Sequence, residues 1–139
     1  MSLKLIPYIL TLIIGMLVLP VTAKDDAAPQ IKMVIESQIE AFKVDDFDTA
    51  FGYASPSIQS IFQNADNFGL MVRRGYPMVW RPADVQFLDL LEIDGDMWQQ
   101  VLIRDQSGER YVVLYRMQWV RDGWRINGVQ VGKTPDQLT

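Results

Sequence analysis

The side chains that could support chemistry in this chain are carboxylates, tyrosines, lysines and arginines, because its 139 residues include neither cysteine nor histidine. That absence excludes Cys–His and Ser–His–Asp catalysis, zinc sites built on thiolate or imidazole, and disulfide bonds. Asp45 and Asp46 form an acid–base candidate pair, but their stronger interpretation is helix capping. Asp89 lies within a predicted strand, where a general base would need a raised pKa and a substrate cavity. We therefore assign no catalytic residue from the sequence.

Metal ions, cofactors and nucleic acids are also disfavoured as partners. A metal site would have to be built from oxygen ligands, and Asp94 and Asp96 flank a turn without further ligands at EF-hand spacing. Lys and Arg number 13 against 17 Asp and Glu, for a net charge of −4, whereas phosphate binding needs a concentrated basic surface. We predict no metal site, no cofactor and no nucleic-acid partner.

The second half of the chain predicts a four-stranded antiparallel meander, which must position any site there. Apolar residues alternate with polar ones along each predicted strand. The predicted strands are residues 83–93, 97–105, 109–121 and 124–131. The connections are two-residue hairpin turns at Asp94-Gly95 and Asp122-Gly123 and a three-residue loop at Gln106-Ser107-Gly108. These turns define a register, which pairs Leu88 with Val101, Leu90 with Gln99, Gln99 with Tyr115, Tyr115 with Gln130, and Arg121 with Trp124.

On one face of this sheet, the register gathers a few polar groups among apolar residues, which is typical of a small-ligand pocket. The predicted pocket residues are Gln99, Tyr111, Tyr115, Trp119 and Gln130. The expected ligand is small and apolar or amphipathic. The alternative is that buried Tyr and Gln side chains hydrogen-bond to each other or to a water molecule.

The opposite face mixes large apolar side chains with arginines, a composition common at subunit interfaces. The predicted dimer-interface residues are Phe87, Leu91, Trp98, Leu102, Leu114 and Arg116. The alternative is a set of scattered surface hydrophobics, which need no partner. The assignment depends on register, because a slip of one residue exchanges the two faces of a strand.

Helices precede the sheet, so the predicted class is α+β: N-terminal helices packed on a curved antiparallel four-stranded sheet. From Ile31 to Phe42, apolar residues recur at helical spacing with one polar interruption at Gln38. Asp46 and Ser55 are predicted N-caps, the latter followed by Pro at the first helical position. Gly75 is predicted as a left-handed C-cap.

The N-terminus has the pattern of a bacterial signal peptide. Lys4 precedes the uncharged stretch 5–23, and Val21-Thr22-Ala23 matches the small-residue motif that signal peptidase reads. The predicted organisation is a signal peptide (1–23), a polar leader (24–30), one α+β cone domain (31–131) and a tail (132–139). Cleavage after Ala23 predicts a periplasmic or secreted protein. If the segment is not cleaved, it is a membrane anchor, which is the only membrane association that we expect.

The order and spacing of several motifs resemble the domain of unknown function (DUF) 4864 family of bacteria. The motifs are Asp45-Asp46, Ala50-Phe51, Ala54-Ser55-Pro56-Ser57-Ile58-Gln59, Phe68-Gly69, Arg81-Pro82, Gln100-Val101 and Asp122-Gly123-Trp124-Arg125-Ile126. The family in turn resembles the nuclear-transport-factor-two-like superfamily, which implies a cone of helices over a curved sheet. That superfamily includes ketosteroid isomerase and many non-catalytic binding or dimerisation modules. The resemblance implies a fold and no particular reaction.

Three functions remain open from the sequence. The first is a non-catalytic exported module that binds a small ligand or a protein partner in or around the cone. The second is a ketosteroid-isomerase-like lyase or isomerase that uses a carboxylate with Tyr115 or Tyr111. The third is a structural dimer with a filled cone. An open cavity without a carboxylate favours binding, a carboxylate facing Tyr115 favours catalysis, and a filled cone favours the structural role.

Overall fold

The computed structural model describes residues 23–121 and 123–133. The helices are α1 (Ala23–Lys43), α2 (Phe47–Gly52), α3 (Pro56–Phe62), α4 (Ala65–Gly75) and α5 (Pro77–Trp80), and the strands are β1 (Asp84–Ile93), β2 (Asp96–Arg104), β3 (Arg110–Val120) and β4 (Gly123–Lys133). This order confirms the predicted α+β class. The predicted signal segment lies outside the described residues, except for Ala23. Among the described helices, none combines the length and apolar character needed to span a bilayer.

Helix α1 forms the long packing surface of the helical layer. It begins at Ala23 rather than near Ile31, so the predicted polar leader is helical. Ile31, Ile35 and Phe42 are almost fully buried, as expected for apolar residues at helical spacing on one face. Gln38 lies on this same buried face and is 3% exposed. The polar interruption in the stripe is therefore a buried side chain.

The predicted N-caps are confirmed at α2 and α3. The Asp46 carboxylate accepts a hydrogen bond from Thr49 N, and the Ser55 hydroxyl accepts one from Ile58 N. These bonds satisfy backbone donors that have no partner within the helix. The predicted left-handed Gly75 is wrong: Gly75 is the last residue of α4, and the chain leaves the helix through Tyr76 at φ −135°. Helix α5 was not predicted.

The four strands pair in the order β1-β2-β3-β4, all antiparallel. The Asp94-Gly95 turn has positive φ at both residues (52° and 83°), and Gly108 has φ 91°, as those two connections predict. The last hairpin differs from the prediction, because the pair that closes its turn is Val120 with Gly123. The predicted pair of Arg121 with Trp124 is therefore wrong.

A β-bulge in β1 changes which residues face the helices. Leu90 pairs with Gln99 as predicted, but Phe87 rather than Leu88 pairs with Val101. One extra residue in β1 therefore separates the two pairs and exchanges the faces of the strand beyond it. Phe87 consequently packs against the helical core, and its predicted place on the outer face is wrong.

A second bulge, in β4, has the same consequence near the predicted pocket. Met117 pairs with Ile126, whereas Tyr115 pairs with Val129 rather than with Gln130. The extra residue in β4 brings Val129 to the inner face, and Gln130 lies opposite Leu114 instead. The predicted pairing of Tyr115 with Gln130 is wrong for two reasons: the hairpin closes at Val120 and Gly123, which shifts the register by two residues, and the bulge shifts it by one residue in the opposite direction.

The core lies between α1 and the inner face of the sheet. Val101, Ile103 and Val113 on the sheet are fully buried, as are Ile31 and Ile35 on the helix. Each face alone would expose a continuous apolar surface, and their burial against each other is the main stabilising contribution to the fold.

Candidate functional site

A cavity of about 380 Å³ lies between the helices and the inner face of the sheet. Its volume falls in the range of small-molecule pockets, about 300–1,000 Å³. The apolar lining comes from Phe42, Ala54, Ile58, Phe62, Phe68, Met71, Val72, Val79, Ile126, Gly128 and Val129, and the polar lining from Gln38, Tyr76 and Tyr115. The space between the helices and the sheet is therefore not filled by the domain's own side chains.

Phenylalanine rings form one wall of the cavity. Phe68 of α4 lies at the centre of this wall, with its ring centroid 5.9 Å from Phe42, 5.3 Å from Phe51 and 5.8 Å from Phe62. The pairs are tilted or edge-to-face, which are favourable arrangements for aromatic rings. Gly69, next to Phe68, allows the helix to approach Phe47, because a Cβ atom there would lie 2.6 Å from that ring.

Helix α3 covers the cavity with Ile58 and Phe62, and its N-terminus is tied to the sheet. The fully buried Ser55 hydroxyl donates to Asn127 Oδ1 at 2.7 Å, and Ser55 N donates to Ile126 O at 2.8 Å. Asn127 lies where β4 bulges. The bulge therefore supplies the acceptor that holds this short helix over the cavity.

Tyr115 of β3 places an unpaired polar group at the cavity. The residue is 0% exposed, and its hydroxyl has no hydrogen-bond partner among the described residues. Burial raises the pKa of Tyr115 above its ordinary value, because the low-dielectric surroundings disfavour the phenolate. At neutral pH the side chain is thus a neutral phenol with an O–H donor that is not used within the described part of the chain.

Gln38 is the second polar group that lines the cavity. Its Nε2 donates to Ala50 O at 3.1 Å, which is its one hydrogen bond within the described residues. The bond orients the amide and leaves the side-chain carbonyl oxygen as an acceptor. Sequence reasoning placed Gln38 in the helix but did not assign it to the site. The signal that could have identified it is a glutamine in an apolar helical stripe that faces the sheet.

The cavity lining contains no Asp, Glu, Lys or Arg among the described residues. An anionic ligand would lose its hydration without gaining a cationic partner, which is costly in an apolar pocket. A general base would have to be one of the lining side chains, and neither a protonated phenol nor a glutamine amide takes that role at neutral pH. The arrangement is suited to a neutral, mainly apolar molecule that accepts a hydrogen bond.

The profile of the family described as domain of unknown function (DUF4864) matches residues 24–139. The chain belongs to this family. Comparisons with curated proteins and with solved structures gave no match. The match covers all of the structural elements described above apart from the first residue of α1, so the cavity is a feature of the DUF4864 domain itself.

Of the five residues predicted for the pocket of the DUF4864 domain, Tyr115 lines the cavity and the other four do not. Gln99 is buried and pairs with Tyr115, but its side chain forms hydrogen bonds with the bulge in β1. Its Nε2 donates to Leu88 O at 3.1 Å and Asp89 O at 3.4 Å in the bulge, and to Gln100 O of β2 at 2.9 Å. The bulge exposes backbone carbonyls that would otherwise lack partners, and Gln99 satisfies them.

The other three predicted pocket residues lie away from the cavity, each for a different reason: they are Tyr111, Trp119 and Gln130. Tyr111 donates its hydroxyl to Glu109 Oε2 at 2.8 Å, and this bond raises the pKa of Tyr111 to about 12. Trp119 lies at the end of β3, 51% exposed, and packs edge-to-face on Trp124. The bulge in β4 moves Gln130 to the outer face, where it is exposed.

The carboxylates considered for catalysis have structural roles or lie outside the cavity. The Asp45 carboxylate accepts hydrogen bonds from Trp80 Nε1 at 2.9 Å and Arg81 Nη2 at 3.0 Å, which lower the pKa of Asp45. Arg81 also stacks on Trp80 and donates to Phe42 O, so this cluster ties the end of α1 to α5. Asp46 caps α2, and Asp89 is exposed at the bulge in β1. Within the described residues, no group of three or more acidic side chains could hold a metal ion.

The outer sheet face carries the other residues that were predicted for a dimer interface. Trp98 pairs with both Leu91 and Arg116, and all three are half-buried. Arg116 forms an ion pair with Asp96 at 2.6 Å, and its buried Nε has no partner among the described residues. Leu102 and Leu114 lie on this same face, opposite Val112 and Gln100 respectively. Phe87 does not lie on this outer face, because the bulge in β1 turns its side chain towards the helical core.

Proposed function

We propose that this DUF4864 domain is a non-catalytic module that binds a small, mainly apolar molecule in the cavity between helices and sheet. The observation that carries the proposal is the Tyr115 hydroxyl, buried at the cavity without a hydrogen-bond partner among the described residues. An unsatisfied buried hydroxyl costs about 1–3 kcal/mol, so a fold that keeps one without use is disfavoured. A ligand that accepts a hydrogen bond would remove this cost.

The open cavity favours binding over the two other functions. A structural module with a filled cone would close the space with its own side chains, since empty apolar volume is destabilising. A ketosteroid-isomerase-like enzyme would need a carboxylate beside the substrate, and the lining among the described residues includes none. The proposal includes membership of the nuclear-transport-factor-two-like superfamily. That resemblance implies a cone of helices over a curved sheet, and it is supported by the helices, the antiparallel sheet and the cavity between them.

The proposed setting is the periplasm or the exterior of a bacterial cell, after cleavage behind Ala23. The support is the pattern of Lys4, the uncharged stretch 5–23 and Val21-Thr22-Ala23. Intact mass of the protein purified from its native host tests this: a mass that corresponds to residues 24–139 is expected. A full-length mass in the membrane fraction would identify an anchor instead.

We also propose self-association through the outer sheet face. Its support is the half-buried cluster of Trp98, Leu91 and Leu114 together with Arg116, whose Nε lacks a partner among the described residues. Aromatic and Arg residues are enriched in the cores of protein interfaces. A second copy would bury this surface and leave the cavity, on the other side of the sheet, accessible to a ligand.

Binding is tested with a matched pair of valine substitutions in the same sheet. Val129 lines the cavity from β4 and Val112 lies on the outer face of β3, and both are half-buried. Val129→Phe should fill part of the cavity and weaken binding of N-phenyl-naphthylamine, a fluorescent apolar ligand, whereas Val112→Phe should leave binding unchanged. Native mass spectrometry of the purified protein supplies a second measurement, a mass increment from a co-purified ligand that Val129→Phe reduces. Equal binding by both variants, or no binding by the wild type, would refute the cavity as the site.

A further inference from the structure

We infer that the ligand of this cavity is an uncharged molecule whose apolar body carries a hydrogen-bond acceptor oxygen, of the ketone, ester or alcohol class, held by the Tyr115 hydroxyl. The inference deepens the proposed function and rests on it. It adds the chemical class of the head group and the residue that recognises it.

The acceptor follows from the state of Tyr115. A neutral phenol has one O–H donor, and that donor is unpaired within the described part of the fold. Its β-sheet partners do not accept this hydrogen bond: the Gln99 amide is engaged through Nε2 with Leu88 O and Asp89 O of the first bulge, and Val129 is apolar. Because Tyr115 lines the cavity, a molecule within the cavity can supply the acceptor that completes this hydrogen bond.

The absence of charge follows from the lining. Among the described residues, the cavity offers no Arg or Lys to a carboxylate or phosphate, and no Asp or Glu to an ammonium group. Aromatic and aliphatic side chains make up most of the surface, so a charged head group would be desolvated without compensation. Gln38 adds an acceptor of its own, the carbonyl oxygen left unused when Nε2 binds Ala50 O. A ligand hydroxyl can donate a hydrogen bond to this oxygen, whereas a ketone or ester has no donor and binds through its acceptor oxygen alone.

Three compounds of equal shape separate these features. Acetonaphthone is a neutral ketone, isopropenylnaphthalene is its isosteric hydrocarbon, and naphthoate replaces the methyl group with a charged oxygen, all at the same ring position. Each is titrated by calorimetry into the full-length protein and its Tyr115→Phe variant. The variant should weaken binding of the ketone roughly two- to thirteen-fold, the equivalent of one net hydrogen bond of about 0.5–1.5 kcal/mol. Binding of the hydrocarbon should be unchanged or tighter.

Charge selectivity is read from the same titrations. Naphthoate should bind the wild type roughly tenfold or more weakly than the ketone at neutral pH, because its carboxylate gains no cationic partner. A carboxylate that binds as tightly as the ketone would overturn the inference. So would an equal loss of affinity for ketone and hydrocarbon in Tyr115→Phe, which is the result of a merely structural tyrosine, or no loss at all, which is the result of a hydroxyl satisfied by retained water.

An infrared spectrum of acetonaphthone bound to the wild type provides a measurement that needs no variant. A hydrogen bond from Tyr115 should move the carbonyl stretch to lower frequency than in hydrocarbon solvent, and an unshifted band would contradict the inference. If none of the three compounds binds, the proposed function fails together with the inference. If the hydrocarbon binds and the ketone shows no dependence on Tyr115, the pocket stands and only the head-group assignment fails.

Discussion

Gln99 and Tyr115 are direct partners across β2 and β3, and both are buried, but only the glutamine side chain donates hydrogen bonds within the described fold. This difference in hydrogen bonding arises from the surroundings of the polar group at the end of each side chain. The amide of Gln99 donates to the backbone carbonyls of Leu88 and Asp89 at the bulge in β1, whereas the Tyr115 side chain lines the cavity. Two residues that the sequence places together therefore have separate roles, one in the sheet and one at the site.

Tyr115→Phe should leave the free energy of unfolding within about 0.5 kcal/mol of the wild type, or raise it, in protein freed of ligand. The physical reason is that the substitution removes a buried hydroxyl with no partner to lose. Urea denaturation followed by tryptophan fluorescence measures this. Tyr111→Phe is the control, since it removes a hydroxyl that is bonded to Glu109 and is expected to be slightly destabilising. A loss of more than about 1 kcal/mol in Tyr115→Phe would indicate an internal hydrogen bond instead.

Alkaline pH should destabilise the wild type more than Tyr115→Phe. Burial raises the pKa of Tyr115 in the folded state, so the unfolded chain loses this proton first as the pH rises. The stabilisation is fully present below the ordinary tyrosine pKa of about 10 and is lost as the pH rises above it towards the folded-state value. Urea midpoints at about pH 8 and about pH 11 provide the test. Parallel losses in both proteins would mean that Tyr115 does not titrate differently on folding.

Gly69→Ala should destabilise the domain by roughly 1–3 kcal/mol, because its Cβ would lie 2.6 Å from the Phe47 ring and force the ring or the helix to move. The matched control is Gly75→Ala at the end of the same helix, where an added Cβ meets nothing within 4 Å. That variant should be neutral or stabilising by up to about 1 kcal/mol through helix propensity. Thermal unfolding of the three proteins measures both effects, and equal stability of the two variants would contradict the packing argument.

Trp98→Asp should shift the protein from dimer to monomer in sedimentation velocity at roughly tens of micromolar, while the far-ultraviolet circular dichroism stays the same. The reason is that dimerisation would bury an unpaired charge on the outer face. Ile61→Asp is the control, since Ile61 is a 68% exposed apolar residue of α3 on the helical layer. A wild-type protein that sediments as a monomer would refute the interface before any variant is needed.

The sequence by itself determined the parts of this fold that short-range geometry controls. The Asp94-Gly95 turn and Gly108 need positive φ, and Asp46 and Ser55 satisfy backbone donors three residues away. Such features depend on a few neighbouring residues, so local rules predict them. The helical stripe of α1 reflects periodicity along one segment, and the strand order reflects the short turns between successive strands.

Only the tertiary structure decided which residues meet at the cavity. Two bulges, one beside Leu88 and one beside Asn127, each exchange the faces of a strand, and this moves Phe87 inward and Gln130 outward. A bulge is stabilised by distant partners, here the Gln99 amide in one case and the Ser55 hydroxyl in the other. No local pattern encodes these partners, because Gln99 reaches the first bulge only when β1 and β2 pair, and Ser55 reaches Asn127 only when the helices pack on the sheet. The polar lining of the cavity is likewise brought together by packing alone, with Gln38 from α1, Tyr76 from the α4–α5 junction and Tyr115 from β3.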